Sequence, residues 1–293
     1  MLNKPIYINP YTDFGFKKLF GEEGNKNLLI DFLNQLLPQH HQIAGLTFQN
    51  AERLGDTKKE RNAFFDINCV AHSGEQFVVE MQKAKVKFFK DRALFYTTFP
   101  IRAQAKKGDW DFELKSIYFI AILDFLYDEE EEKAKFCRNI MLRDEDNEVF
   151  YEKLHFKFLQ MPMFKKEAHE LNTQFDKWCY FLKNLENFEN IPQILQEPIF
   201  EQAFQTAKVA NFTARQRTAY EKSRLDYLGV KAVADTAKED GRQEGREEGR
   251  EEGRKAGWQE AQCVIAKKMK AEGMEVTLIA HITNLDINII NNL

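Results

Sequence analysis

The chain lacks a CxxC pair: its four cysteines, Cys69, Cys137, Cys179 and Cys263, lie far apart. That argues against a structural zinc site and a disulfide framework, and for a reducing compartment. No stretch approaches the ~18 consecutive apolar residues of a membrane span. The opening MLNKPIYINPYTDF has no apolar core behind basic residues, as a signal peptide would. A cytoplasmic protein with no membrane partner is expected. Neither GxSxG nor GxxxxGK occurs, so the sequence offers no nucleophile elbow and no phosphate-cradling glycine loop. An excess of positive charge is also missing: 42 basic residues face 46 acidic ones, for a net charge of −4. This excludes a generic polycation coating nucleic acid but leaves room for a local basic site.

What the chain does have is 293 residues, 43% of them hydrophobic and 30% charged. That is the composition of a soluble globular protein with one sizeable domain and a smaller one. Phenylalanine is abundant, at 26 residues, which points to a large aromatic core.

The stretch 64–83, FFDINCVAHSGEQFVVEMQK, predicts two short strands joined at His72-Ser73-Gly74. Phe65, Ile67, Cys69 and Ala71 alternate with Asp66, Asn68 and Val70. Phe77, Val79 and Met81 alternate with Val78, Glu80 and Gln82. Successive strand side chains face opposite sides, so the loop length decides which residues meet. A two-residue turn at Ser73-Gly74 would set Ile67 opposite Glu80 and mix the faces. A three-residue loop pairs Phe65 with Met81, Ile67 with Val79 and Cys69 with Phe77. It keeps one face apolar and puts Gly74 where such loops need left-handed backbone. It also sets Asp66 opposite Glu80, with Asn68 and Gln82 on the same face. Opposed like charges destabilise a sheet. A divalent cation offsets that cost, because hard Mg²⁺ is held by one or two carboxylates together with waters and phosphate oxygens. The competing reading is a solvated sheet face carrying incidental acids.

Before the hairpin, the pattern predicts a short helix around Phe14-Gly15-Phe16 and a glycine-containing break at 21–24. A firm amphipathic helix with Leu28, Leu29, Phe32, Leu33, Leu36 and Leu37 then ends before Pro38. Asp13 either caps the first helix or supplies a third acid. A strand is expected at 43–48, with His40 and His41 in a loop and without metal-ligand spacing. After the hairpin, Lys83, Lys85, Lys87, Lys90 and Arg92 crowd the segment beside Glu80, opposed by Asp91 alone. They form either a solvated face or a set of contacts to a DNA phosphate backbone. A helix follows at 91–107, with a kink or break at Pro100 and Arg102, Lys106 and Lys107 near its end. The apolar run 114–125 predicts a buried central strand, and an acidic surface loop spans 128–132. A second hairpin, 135–142 with 149–161, turns at DEDN. Strands at 43–48, 64–71, 76–82, 114–125 and about 150–160 around the helix at 91–107 make a mixed α/β sheet.

Residues 166–235 read as helical. Leu171, Phe175, Trp178, Phe181, Leu182 and Leu185 share one face, with Trp178 in the core, and a second helical stretch covers 197–227. Then Gly241, Gly245, Gly249, Gly253 and Gly257 recur every fourth residue, the first four each followed by an arginine. Each interior glycine costs a helix about 1 kcal/mol relative to alanine. The expectation is a hinge or helical linker ordered by self-association, with Glu247–Arg250 and Glu251–Arg254 pairing at i,i+3. Helix, turn at Gly273, short helix, turn at Asn284 and short helix close the chain as a small docking bundle or helix-turn-helix. The last helix carries no Lys or Arg, which argues against its reading DNA. The expected division is a core at 1–165, a helical extension at 166–235, a Gly/Arg/Glu-rich linker or helix at 236–259 and a helical unit at 260–293. A homo-oligomer is expected through the C-terminal segments.

Asp66 followed by Glu80-Met81-Gln82 resembles the D…ExQ variant of the PD-(D/E)XK nuclease signature. DFGFKKLFG, FLNQLL, FFDINC, VVEMQKA, RALFYTTFPIRAQ, EGREEGREEG and AKKMKAEGMEVTLIAHIT together resemble the bacterial recombination-promoting nuclease and transposase family over most of the chain. The resemblance implies a restriction-endonuclease-like core and a metal-dependent DNA endonuclease acting on double-stranded DNA in recombination or transposition. It implies Asp66 and Glu80 as ligands of Mg²⁺, with Mn²⁺ or Ca²⁺ as substitutes in vitro. Gln82 stands where most of the wider superfamily has lysine, so it can orient a water but brings no charge; Lys83 or Lys85 would compensate in part. Asp13 matches the acid of the family's opening motif. Two rival readings remain open. One is a non-catalytic DNA- or protein-binding module on the nuclease scaffold, against which the retained Asp66 and Glu80 argue. The other is an interaction protein working through its linker and C-terminal bundle.

Overall fold

The computed structural model describes residues 5–49, 52–53, 63–105, 111–127 and 135–293. Helix α1 (Asp13–Phe20) starts at Thr12, whose hydroxyl accepts the Gly15 N–H at 3.0 Å. Thr12 is therefore the cap, and Asp13 is the first helical residue, paired with Lys17 at 2.7 Å. In α2 (Lys26–Asn34) the apolar stripe Leu28, Leu29, Phe32 and Leu33 is fully buried. The strands follow: β1 (Leu46–Phe48), the short β2 (Glu52–Arg53) and β3 (Ala63–Phe64), β4 (Ile67–Ala71) and β5 (Gln76–Gln82). Helix α3 (Phe89–Ala103) leads to β6 (Ile117–Leu123), and a hairpin forms β7 (Cys137–Arg143) and β8 (Val149–Gln160). Pro100 sits in the last turn of α3, which stops at Ala103, short of the expected 107. The acidic cluster at 128–132, Lys106, Lys107 and the loop at 55–61 lie outside the described residues.

Six strands form one mixed sheet in the order β1-β4-β5-β6-β8-β7. The β5–β6 and β6–β8 pairs are parallel and the others antiparallel. Flanked by helices, this is the restriction-endonuclease-like α/β arrangement. The β4–β5 register sets Ile67 opposite Val79 and Cys69 opposite Phe77. The Ala71 N–H donates to Glu75 O at 2.8 Å, leaving His72, Ser73 and Gly74 as a three-residue loop. Gly74 has φ +106°, a conformation that glycine adopts without steric cost.

Two features depart from the simple alternation. The ladder begins at Ile67, and the chain bends at Asp66. Phe65 therefore leaves the Ile67 face and packs against Tyr96 and Phe99 of α3, with ring centroids at 5.1 and 5.9 Å. The face carrying Glu80 and Gln82 is also not solvated, since every residue of β5 is buried. The crossover helix α3 covers that face with Phe89 and Ala93 against Val78, Phe119 and Phe158. The opposite face meets α1, α2, α4 (Gln174–Asn184) and α5 (Pro198–Ala207) in one large aromatic cluster. Trp178 lies there, fully buried against Phe20, Phe32 and Phe200, and donates its indole N–H to Asp31 Oδ1 at 2.5 Å. His41 belongs to a short 3₁₀ turn and sits 2.7 Å from the Tyr118 hydroxyl.

The chain divides into two compact units, Met1–Ala232 and Val233–Leu293. Helix α6 (Ala214–Ala271) has 58 residues and runs unbroken through the glycine repeat. Its early turns bury Tyr220 and Tyr227 in the first unit's core, and Ala266 joins the small core of the second. A helix that continues from packed turns does not have to nucleate within its weakest stretch, which offsets part of the glycine cost. Glu251 pairs with Lys255 at 2.9 Å rather than with Arg254. In the second unit, α7 (Val276–Thr283) and α8 (Ile287–Asn291) follow turns at Gly273 (φ +78°) and Asn284 (φ +59°), closing on Ala266, Ile279 and Ile290.

Candidate active site

The bend that removes Phe65 from the ladder turns two carboxylates into backbone acceptors. Where ladder bonds would continue, the Asp66 N–H donates to Glu80 Oε1 at 3.1 Å and the Met81 N–H donates to Asp66 Oδ2 at 2.7 Å. The hairpin thus closes through the two acids, which satisfies backbone donors that would otherwise be orphaned. Gln82 Nε2 donates to Glu80 Oε2 at 2.9 Å, and Arg92 Nη2 donates to the same oxygen at 3.3 Å. Glu80 is only 1% exposed.

Burial dominates the electrostatics and raises both acids above the ordinary carboxylate range. The neighbouring Asp66 charge adds to this at Glu80, while Arg92 and Lys17 pull the other way. Burial wins, and Glu80 is pushed up to about 8. Arg92 does not offset it because its side chain is 38% exposed and shares its charge with solvent. Among the described residues no group of three or more His, Cys, Asp or Glu is placed to hold a metal ion. Two carboxylates suffice for Mg²⁺ when waters and phosphate oxygens complete its shell. Glu80, buried and with its proton affinity raised despite Arg92, beside the half-buried Asp66, is a donor set that fits such an ion.

The sign of the pH dependence follows. Folding raises Glu80 from its usual 4.5 to about 8, so the fold binds that proton more tightly than the unfolded chain does. The resulting stability is complete below the unfolded value and is lost as pH rises through the folded one, at about 1.4 kcal/mol per unit of elevation. A bound cation favours the ionised pair and reverses the trend. Thermal melts in EDTA are expected to weaken from about pH 5 to about pH 9, and Mg²⁺ should restore stability increasingly towards the alkaline end. A Mg²⁺ effect that stays constant over that window would remove the acid pair as the cation site.

Asp66 also lines a cavity of about 900 Å³ in the first unit, together with Asp13, Lys17, Lys83, Lys222 and Asp226. Helix α1 brings Asp13 and Lys17 there because Gly15 lets the chain pass close to Asn9; an added Cβ would lie 2.2 Å from the Asn9 carbonyl oxygen. Lys17 is engaged with Asp13, and Lys18 with Glu22 at 2.7 Å. Among the described residues neither Lys83 nor Lys222 makes an ion pair.

Asp66, Glu80 and Gln82 thus come together as the register requires, and Lys83 joins Asp66 in the cavity wall. Arg92 parts from the lysines: its guanidinium lies on Glu80 and over the Tyr96 ring at 5.0 Å. Lys85, Lys87 and Lys90 are exposed. Lys17 was legible in principle, four residues after Asp13 on one helix face. Lys222 and Asp226 arrive on α6 from more than 130 residues away and leave no local signal.

The sequence model of the family described as PD-(D/E)XK nuclease family transposase matches residues 10–237. No curated protein and no solved structure matches the chain.

Proposed function

Because the chain belongs to the PD-(D/E)XK nuclease family transposases, we infer that it is a divalent-metal-dependent DNA endonuclease serving recombination or transposition. The observation carrying this reading is the contact between Asp66 and Glu80, which closes the hairpin through a half-buried and a buried carboxylate. These two would hold Mg²⁺, which when bound supplies an activated water and charge stabilisation at the phosphate. Gln82 donates its amide to Glu80 and fixes the orientation of that carboxylate. Arg92 holds the same oxygen from α3. Gln82 has no charge, so Lys17 and Lys83, in the cavity beside Asp66, supply the cations that face the phosphate as negative charge grows on it. Lys85, Lys87 and Lys90 take phosphates of double-stranded DNA further along. A cytoplasmic location and self-association through the C-terminal segments belong to the same reading.

The test is purified protein on supercoiled plasmid. Cleavage is expected with Mg²⁺ or Mn²⁺ and none in EDTA. Failure to cut in every metal, with DNA binding retained, would favour a binding module on a nuclease-like scaffold.

A further inference from the structure

On the nuclease reading above, we propose that Phe88 is a base-stacking residue, its ring entering the base stack of duplex DNA beside the phosphate at the acid pair. Phe88 stands between β5 and α3 and is 67% exposed. Its backbone is left-handed, at φ 62° and ψ 34°, a conformation asparagine and glycine hold readily and a bulky residue rarely adopts. The ring meets the Lys87 ammonium, 5.1 Å from its centroid, and no other described ring pairs with it.

The position is tied to the site. The Phe88 carbonyl accepts the Arg92 N–H at 3.0 Å, and the Arg92 guanidinium lies on Glu80. One helical turn therefore separates Phe88 from the residue whose side chain reaches Glu80. Phe95, further along α3 and 44% exposed, is a second exposed ring. Lys87 brings its charge onto the ring, Lys85 is exposed three residues before it, and the Lys90 ammonium lies over the Tyr127 ring at 5.5 Å. A flat apolar ring beside a lysine ammonium complements a base beside its phosphate, where aromatic wedges open a base step and stack on it. An apolar protein partner with an acidic rim is the competing occupant.

The experiment uses the full chain in Ca²⁺ with duplex DNA carrying 2-aminopurine. Wild type should raise the fluorescence as the base leaves its stack. Phe88→Asn suits the left-handed backbone, so its melting temperature should not fall. It should lose the fluorescence change and bind roughly tenfold more weakly, with an unchanged salt slope. Phe88→Trp should keep the signal. Replacing Lys85, Lys87 and Lys90 by Ala should instead flatten the log–log salt slope by about 2–3 units, at about 0.9 per lost contact. Unchanged signal and affinity in Phe88→Asn would overturn the inference while leaving cleavage at the acid pair untouched. Loss of affinity without any wild-type fluorescence change would also overturn it, as would a protein partner competing for the ring. A wild-type chain that binds no DNA would overturn this inference and the nuclease reading together.

Discussion

Glu80→Gln is expected to abolish metal-dependent cleavage, by at least ~10²–10³-fold, while making the metal-free protein more stable at alkaline pH. Both effects come from the same carboxylate. With its proton affinity raised to about 8, the ionised Glu80 is costly to the fold without a cation and is the group a cation would use. The amide is always neutral, so the alkaline penalty disappears along with the metal ligand. Its oxygen can still accept the Asp66 N–H, and the Gln82 amide can turn to accept from it. Alanine is the poorer variant. It would leave the Asp66 N–H and the Gln82 amide without that acceptor, at about 1–3 kcal/mol for an unsatisfied buried group, while Arg92, 38% exposed, can turn to water. Asp66→Asn should behave like Glu80→Gln, because the Met81 N–H keeps an oxygen acceptor. Plasmid cleavage and melts in EDTA read both effects. Wild-type cleavage by both folded variants would place the chemistry elsewhere. A lower melting temperature for Glu80→Gln at alkaline pH would make the ionised carboxylate structural.

The acid pair was legible because it follows from apolar alternation. Once Ile67 must face Val79 and Cys69 must face Phe77, Asp66 and Glu80 have no other place to go. The departures have a common cause in tertiary cover. Strand alternation says which residues share a face but not what lies over it, and α3 makes the polar face of β5 an interior. That explains why Glu80 is buried, why Phe65 finds Tyr96 and Phe99, and why Arg92 leaves the row of lysines. Thr12 took the cap from Asp13 because a cap needs an extended backbone outside the helix. Thr12 has it, at φ −80° and ψ 149°. The pattern could not place Lys222 or Asp226 at the cavity, since their arrival depends on how α6 packs against α1 rather than on spacing.

Gly15→Ala should destabilise the first unit by about 2–4 kcal/mol, combining overpacking with the loss of a buried hydrogen bond. The added Cβ would stand 2.2 Å from the Asn9 carbonyl oxygen and 2.7 Å from the Thr12 hydroxyl. Neither can give way freely. Thr12 donates its hydroxyl to that carbonyl at 2.8 Å, the Asn9 N–H donates to the Tyr220 hydroxyl at 2.9 Å, and the Asn9 amide donates to Glu186 at 2.8 Å. Relieving the clash must move α1 or break this knot, and α1 carries Asp13 and Lys17 to the cavity beside Asp66. The Phe14 N–H donates to Ser223 Oγ at 3.0 Å, so a displaced α1 also pulls on α6. The melting temperature is expected to fall by roughly 10 °C, and the fraction that remains folded should cleave more slowly than wild type. Gly24→Ala is the matched control, because its Cβ would meet nothing within 4 Å, and it should be neutral or slightly stabilising. Equal melting temperatures for the two variants would show that the Asn9 backbone yields, and would detach the placement of α1 from glycine at this position.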